Sequence, residues 1–355
     1  MIKQAGFILI ILVGLSMIQS CATSKKSIMR QDPLMGEIVS TKTGRMVDFN
    51  ALMKDISSHD VIYLSEKHDN PEHHNIQQRI IHGLIEKRIQ PILGFEFFSM
   101  DDTPDLLNFI DSGRADHSEK IEKIIEAELR SRLGWESQSD KIWKYYFDLL
   151  TIAKQKNIQV AGIDLPATLK KRITRKGIDH ISPIEKQMVF STHLSDRAYQ
   201  EYMFSIFKSV HCGMGNEQML SNLYDTWRAR NDKMALSITQ LVKHGNGPVV
   251  IIIGGGHTEY GLGVISRVKK IDKNMTQVNI ALQEISVKPS DLSQYLSPLE
   301  LKGFHKKPPA DFLWFTKRVS YEDPCKEFKK SLEKMKNLHK KDVDVRNGKY
   351  VFENQ

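Results

Sequence analysis

Six short apolar runs, spread along the chain and separated by segments of helical period, constrain the fold more than any other feature. They occupy residues 61–64, 92–97, 159–163, 249–253, 278–285 and 312–315. Apolar runs of this length, bounded by turn residues, suit strands buried on both faces of a sheet. The segments between them carry apolar residues at helical spacing. In 71–88 these are Ile76, Ile80, Ile81, Leu84 and Ile85, with Asn70 placed to cap the helix and Pro71 at its first position. Residues 143–156 form a second such segment. Alternation of this kind predicts an α/β fold: a mainly parallel sheet flanked by helices. The stretch 184–244 lacks strand signals and is expected to be a helical insertion. With 355 residues, 40% hydrophobic and 26% charged, the chain can bury a sizeable core and stay soluble.

The amino terminus sets the expected compartment. MIKQAGFILIILVGLSMIQSC has a basic Lys3, an apolar stretch over 7–18 and then small residues before a cysteine. The stretch is too short, and wrongly flanked, for a spanning helix, and it fits a secretory signal. IQSC, residues 18–21, resembles a bacterial lipobox, which implies cleavage after residue 20 and lipidation of Cys21. In an ordinary signal the cysteine would stand at this position by chance. Ala22 and Thr23 follow, with no aspartate to retain the protein at an inner membrane, so outer-membrane anchoring is expected in a Gram-negative cell. Each buried CH₂ of an acyl chain contributes ~0.8 kcal/mol to such an anchor. The expected organisation is a signal over 1–20, a lipidated cysteine and polar tether over 21–34, one α/β domain over 35–318 and a charged helical tail over 319–355. Cys212 and Cys325 would then lie in an oxidising compartment, where pairing is possible but is not specified by sequence. The net charge of +8 and pI near 9.1 admit nucleic acid, an acidic membrane surface or an anionic ligand. No zinc-finger spacing, aromatic RNA-binding signature or long arginine run supports nucleic acid.

Ligands of open α/β sheets bind outside the carboxyl ends of the strands. The polar residues at those ends are Glu66, His68 and Asp69 after the first run and Glu96 within the second. Asp164 follows the third, and His257, Glu259 and Tyr260 follow the fourth. Each has a plainer reading. Glu96 interrupts GFEFF and a structural ion pair would satisfy it; Asp164 could cap a turn; His73 falls on the apolar stripe of its helix and suits a core role. GGGHTEYG lacks the G-x-G-x-x-G spacing of a dinucleotide site, and its glycines instead admit close backbone approach. G-x-S-x-G, H-E-x-x-H and paired C-x-x-C motifs are all missing from the sequence. What remains is Glu/His chemistry. Glu66, His68, Glu96 and His257 could hold a divalent metal that activates water, or one imidazole oriented by a carboxylate could act as a general base. The same rim could hold an iron porphyrin through Tyr or His.

YLSEKHDNPEHHNIQQRII, GFEFF, GIDLP, IIIGGGHTEYGLGV and ADFLWFT, in this order and spacing, resemble the ChaN-like haem-binding lipoproteins. That family shares a superfamily with the Tiki metalloproteases and erythromycin-esterase-like enzymes. The resemblance spans roughly residues 35–316. It implies an α/β domain with helical additions, haem as cofactor, a homodimer, and a part in iron acquisition beside an outer-membrane haem uptake system. On this sequence the haem-contacting candidates are His68, His73 and His257, with Tyr63 and Tyr260 the tyrosines nearest the motifs. The enzymatic relatives imply the alternative, a metal-dependent peptidase or esterase using Glu66, His68, Glu96 and His257. One departure stands out: Ser65 precedes the first glutamate, where the family usually has glycine.

Overall fold

The computed structural model describes residues 32–112, 119–194, 197–288, 290–304, 306–323, 325–326 and 329–330. The signal, Cys21 and most of the tether and lysine-rich tail lie outside them. The sheet has eight strands: β1 (Ile38–Ser40), β2 (Arg45–Val47), β3 (Val61–Glu66), β4 (Ile92–Ser99), β5 (Val160–Asp164), β6 (Val249–Gly254), β7 (Gln277–Glu284) and β8 (Phe312–Thr316). Their order is β2-β1-β8-β7-β3-β6-β4-β5. From β8 to β5 every pairing is parallel, and β1 and β2 extend the β8 edge antiparallel. The six apolar runs are the six parallel strands. The two antiparallel strands β1 and β2 escape sequence reading because each has three residues and β2 is largely exposed, so neither shows an apolar run.

Alternate strand residues face opposite layers, as the two-residue period of a strand requires. Ile62, Leu64, Leu93, Phe95, Val250 and Ile252 pack against α1 (Phe49–Ile56), α2 (Pro71–Glu86) and α5 (Asp140–Lys156). Val61, Tyr63, Val249, Ile251 and Ile253 pack against the second half of α9 (Glu217–His244) and against α10 (Val264–Ile271). The expected helical insertion contains α7 (Pro183–Met188), α8 (Arg197–Val210) and α9. At the start of α2, Asn70 accepts from the Glu72 amide at 3.0 Å and Pro71 occupies the first turn.

Two features of this topology position the site. Strand β3 leads into α2 on one face, whereas its neighbour β6 leads toward α10 on the other. Adjacent strands whose connections leave on opposite faces open a crevice at their carboxyl ends. The second is the length of α9, 28 residues. Its second half covers the sheet, and its first half carries Trp227 and Arg230 to that edge.

Strands β4 and β5 approach closely where their register shifts between Phe95 and Ser99. A Cβ on Gly162 would overlap the Ser99 carbonyl, so only glycine fits there. Gly162→Ala is expected to cost about 1–3 kcal/mol through overpacking, read as a lowered urea midpoint with an unchanged m-value.

Candidate ligand site at the carboxyl edge of the sheet

Glu66 ends β3 and lies opposite Gly254, the last residue of β6. Its carboxylate is buried and accepts from several elements. His68 Nδ1 lies 2.9 Å from Oε1, and the Tyr146 hydroxyl of α5 donates to the same oxygen at 2.5 Å. Gln77 Nε2 of α2 donates to Oε2 at 2.5 Å, and His74 Nδ1 stands 3.4 Å from it. His74 and Gln77 sit three residues apart on α2, one turn of the same face. His74 Nε2 also contacts the His68 carbonyl at 3.0 Å, and Tyr145 stacks on the His74 ring. The turn that presents His68 is thus fixed from behind.

His68 itself is the open member of this group. Its side chain is 41% exposed. Nδ1 is engaged by Glu66, while Nε2 has no hydrogen-bond partner among the described residues and is not among their unpaired buried atoms. A Cβ at Gly254 would stand 2.9 Å from His68 Cε1 and Nε2, so this glycine makes room for the imidazole.

Glu96 of β4 forms a second hub. Arg230 Nη2 of α9 donates to Oε1 at 2.6 Å, the Gly254 amide donates to Oε2 at 2.6 Å, and His257 Nε2 lies 3.2 Å from Oε1. Arg230 Nε reaches Asp164 Oδ2 at 2.9 Å, and Lys170 Nζ reaches the same oxygen at 2.6 Å. His257 is 4% exposed, stacks on Trp227 with centroids 3.9 Å apart, and places Nδ1 2.7 Å from Asn231 Oδ1. Both of its ring nitrogens are therefore occupied.

Protonation follows from these contacts. Burial raises the Glu96 carboxyl, yet the His257 and Arg230 charges outweigh it and hold the group well below the usual carboxylate range. Burial pushes His257 itself below its ordinary value despite Glu96. The permanent cation Arg230 is therefore the partner that keeps Glu96 ionised. For Glu66, burial again acts upward, and the His68 hydrogen bond with the nearby imidazoles brings it below its ordinary value. Burial lowers His68, but its bond to Glu66 and the charges of Glu96 and Glu66 raise it overall. Tyr146 stays protonated because burial and the Glu66 charge both push it up.

Glu66, His68, Glu96 and His257, which are distant in sequence, come together around Gly254. Tyr63 and His73 do not join them. Tyr63 is fully buried in the α9–α10 layer and donates to Gln277 Oε1 at 2.7 Å, toward the amino end of the sheet. His73 is fully buried, accepts from the Lys67 amide at 2.8 Å through Nδ1 and meets Thr316 Oγ1 at 2.9 Å through Nε2. Tyr260 lies half-buried in the loop after His257, its amide bonded to the Pro309 carbonyl. Sequence reading missed His74 as a site residue, along with Gln77, Tyr146, Trp227, Arg230 and Asn231. His74 and Gln77 were legible as a polar pair on the buried face of α2. The polar run Arg228–Asp232 in an otherwise core-facing helix was the signal for Arg230 and Asn231. Nothing local marks Tyr146.

Beside Glu66 a cavity of about 280 Å³ opens between the ends of β3 and β7, lined by Lys67, Gly255, Gly256, Gln283 and Arg318 among others. Ser65 lies at its edge and explains the departure from glycine. Its buried hydroxyl donates to Asn279 Oδ1 and shares a hydrogen with Thr258 Oγ1, both at 2.6 Å. Among the described residues no group of three or more His, Cys, Asp and Glu side chains is arranged to hold a metal ion. Glu66, Glu96 and His257 are instead satisfied by Arg230, Tyr146, Gln77, Asn231 and the other candidates, and His68 keeps its Nε2 open.

A family model described as haem-binding uptake, Tiki superfamily, ChaN matches residues 52–268. The chain belongs to this family. ChaN of Campylobacter jejuni, solved with cofacial haem binding, shares the fold with a TM-score of 0.57 and 18% identity, over 78% of this chain and 95% of that one. An erythromycin esterase mutant, EreC in its open conformation, aligns at a TM-score of 0.45 and 13% identity over 82% and 99% of the two chains. No curated protein matches by sequence.

Two stability measurements check the electrostatics. Arg230→Met leaves Glu96 buried without its permanent cation and Asp164 with Lys170 alone, at an expected cost of about 3–5 kcal/mol near neutral pH. Because Glu96 is depressed in the folded state, its contribution is present above the unfolded value and is lost as pH falls through the folded one. The gap between wild type and variant should therefore close in acid, as followed by denaturant titration. His73 is displaced the other way round for a base: burial lowers it to about 4. The unfolded chain takes up that proton first, so stability present above the ordinary histidine value falls as pH drops toward 4, by ~3 kcal/mol in all. His73→Gln should flatten this part of the stability profile.

Proposed function

We propose that the chain binds haem at the carboxyl edge of its sheet, with His68 as the residue that faces the iron. Family membership supports the ligand. The observation that carries the assignment is an imidazole whose Nδ1 is held by a buried carboxylate while Nε2 is open and unpaired. Metal-binding histidines characteristically have their second nitrogen fixed in this way, which sets the tautomer and raises ligand basicity. His257 and His73 would each have to give up a buried hydrogen bond to serve, and Tyr63 lies in the opposite layer. Haem would supply an iron with a coordination position; the protein's part is to hold His68 against Glu66 and to keep Gly254 clear of its ring.

The lipobox-like IQSC and the residues before it support export and anchoring through Cys21, and a part in haem or iron acquisition at the cell envelope. A disulfide between Cys212 and Cys325 agrees with an oxidising compartment. A homodimer is part of the same proposal. One feature favours a second reading: the Glu66–His68 pair has the form of an oriented general base for hydrolysis. A divalent-metal version draws no support from the arrangement of the four candidate ligands.

Hemin titration of the purified chain separates these readings. Wild type should show a saturable Soret shift, and His68→Ala should change that spectrum and weaken binding about tenfold or more. Tyr260→Phe should leave both unchanged. No saturable uptake by wild type would remove the haem reading, while an unaltered His68→Ala spectrum would remove only His68. Ester or peptide turnover abolished in His68→Ala, without hemin uptake, would establish the hydrolase.

A further inference from the structure

Glu66 divides its two carboxylate oxygens between different partners. Oε2 is held from α2, where Gln77 Nε2 donates to it and His74 Nδ1 stands 3.4 Å away. Oε1 meets two donors at once, the Tyr146 hydroxyl at 2.5 Å and His68 Nδ1 at 2.9 Å. The hydroxyl and Nδ1 lie 3.5 Å from each other, so both converge on one oxygen. With Oε2 occupied, the carboxylate cannot turn to give each donor an oxygen of its own. The Tyr146 bond is the shorter of the two and has the length of an O–H donor on an ionised carboxylate. The ring does not need its hydroxyl to stay in place. It is fully buried, with Phe97 4.6 Å and Trp135 5.5 Å away between centroids. Among the described residues the hydroxyl meets only Glu66 and His68.

A carboxylate behind Nδ1 raises the basicity of the imidazole at its other nitrogen. A second donor on the same carboxylate oxygen draws off part of that charge, because hydrogen bonds that share a group polarise one another. We propose that Tyr146 sets the donor strength of His68: by sharing Glu66 Oε1 with Nδ1, its hydroxyl holds Nε2 below the basicity that Glu66 alone would give it. The inference rests on the reading of His68 as the residue that meets the ligand, and it holds whether Nε2 meets iron or a proton. Tyr146 touches neither; it is a positioning residue that acts through Glu66.

Three full-length chains test this: wild type, Tyr146→Phe and Tyr146→3-fluorotyrosine, whose more acidic hydroxyl donates the stronger bond. The first readout needs no ligand. Diethyl pyrocarbonate carbethoxylates the open Nε2 of His68, and mass spectrometry follows the rate in mildly alkaline buffer that keeps the imidazole neutral in every chain. Tyr146→Phe should react about twofold faster or more, and the fluorinated chain more slowly than wild type. His73 and His74 have both ring nitrogens occupied in the core and should stay unmodified, whereas a loosened fold would expose them. The second readout is the reduction potential of the hemin complex. It should move down in Tyr146→Phe and up in the fluorinated chain, since a stronger nitrogen donor favours ferric iron. Equal His68 rates in the three chains, a change of the same sign in both variants, modification of His74 alongside His68, or potentials that do not move in opposite directions would overturn the proposal. If hemin does not bind, the haem reading fails and the reagent series still decides this one.

Discussion

Arg230 is the group on which the carboxyl edge depends. Glu96 lies in the second half of β4 and Asp164 ends the neighbouring parallel strand β5, both with their side chains out of water, 5% and 0% exposed. Two carboxylates so placed need a cation, since an unpaired buried charge costs several kcal/mol. One guanidinium spans both, Nη2 to Glu96 and Nε to Asp164, and Lys170 adds a second cation on Asp164. A planar fork with fixed donors can join two acceptors in this way, where a lysine would act as a point charge. The requirement reaches far into the fold: α9 must run long enough that one end covers the sheet while the other delivers Arg230, Asn231 and Trp227 to the strand ends.

The two hubs around Gly254 have opposite characters. At the Glu96 hub the carboxylate and both imidazole nitrogens are answered: Arg230 and the Gly254 amide hold the carboxylate, while Glu96, Asn231 and Trp227 hold His257, although Asn231 Nδ2 is itself buried without a partner among the described residues. Such a network is rigid because the loss of any member strands another in low dielectric. The Glu66 hub is equally well held from behind by Tyr146 and Gln77 but ends on an imidazole with one open nitrogen. Supporting groups without a bound partner in front are what a binding residue needs if it is to meet a ligand without rearranging.

How much of this was legible in sequence follows from the range of the interactions. The six parallel strands and the cap of α2 are local, set by apolar runs of fixed length and by an Asn-Pro pair, and both appeared in the pattern. Glu66, His68, Glu96 and His257 were found by one topological rule, that ligands gather at the carboxyl ends of strands. The rule says nothing about which side chains remain open there. Tyr63 and His73 stand beside the right motifs in sequence, yet strand alternation turns Tyr63 into the opposite layer and the helical stripe turns His73 into the core. Tyr146 and Arg230 come from helices 80 and 134 positions from the carboxylates they serve, and no local signal carries that information.

His73 and His74 make the same point within one turn. Adjacent on α2, both are buried, yet they differ by 100° around the axis. His73 faces Thr316 and the Lys67 amide, and so ties the first turn of the helix to β8 and to the loop that carries His68. His74 faces Glu66 and the His68 carbonyl, and so ties the same loop to the polar hub. Between them they fix the loop from two directions. The exposed imidazole at its tip is thus held in place by two histidines that never reach solvent.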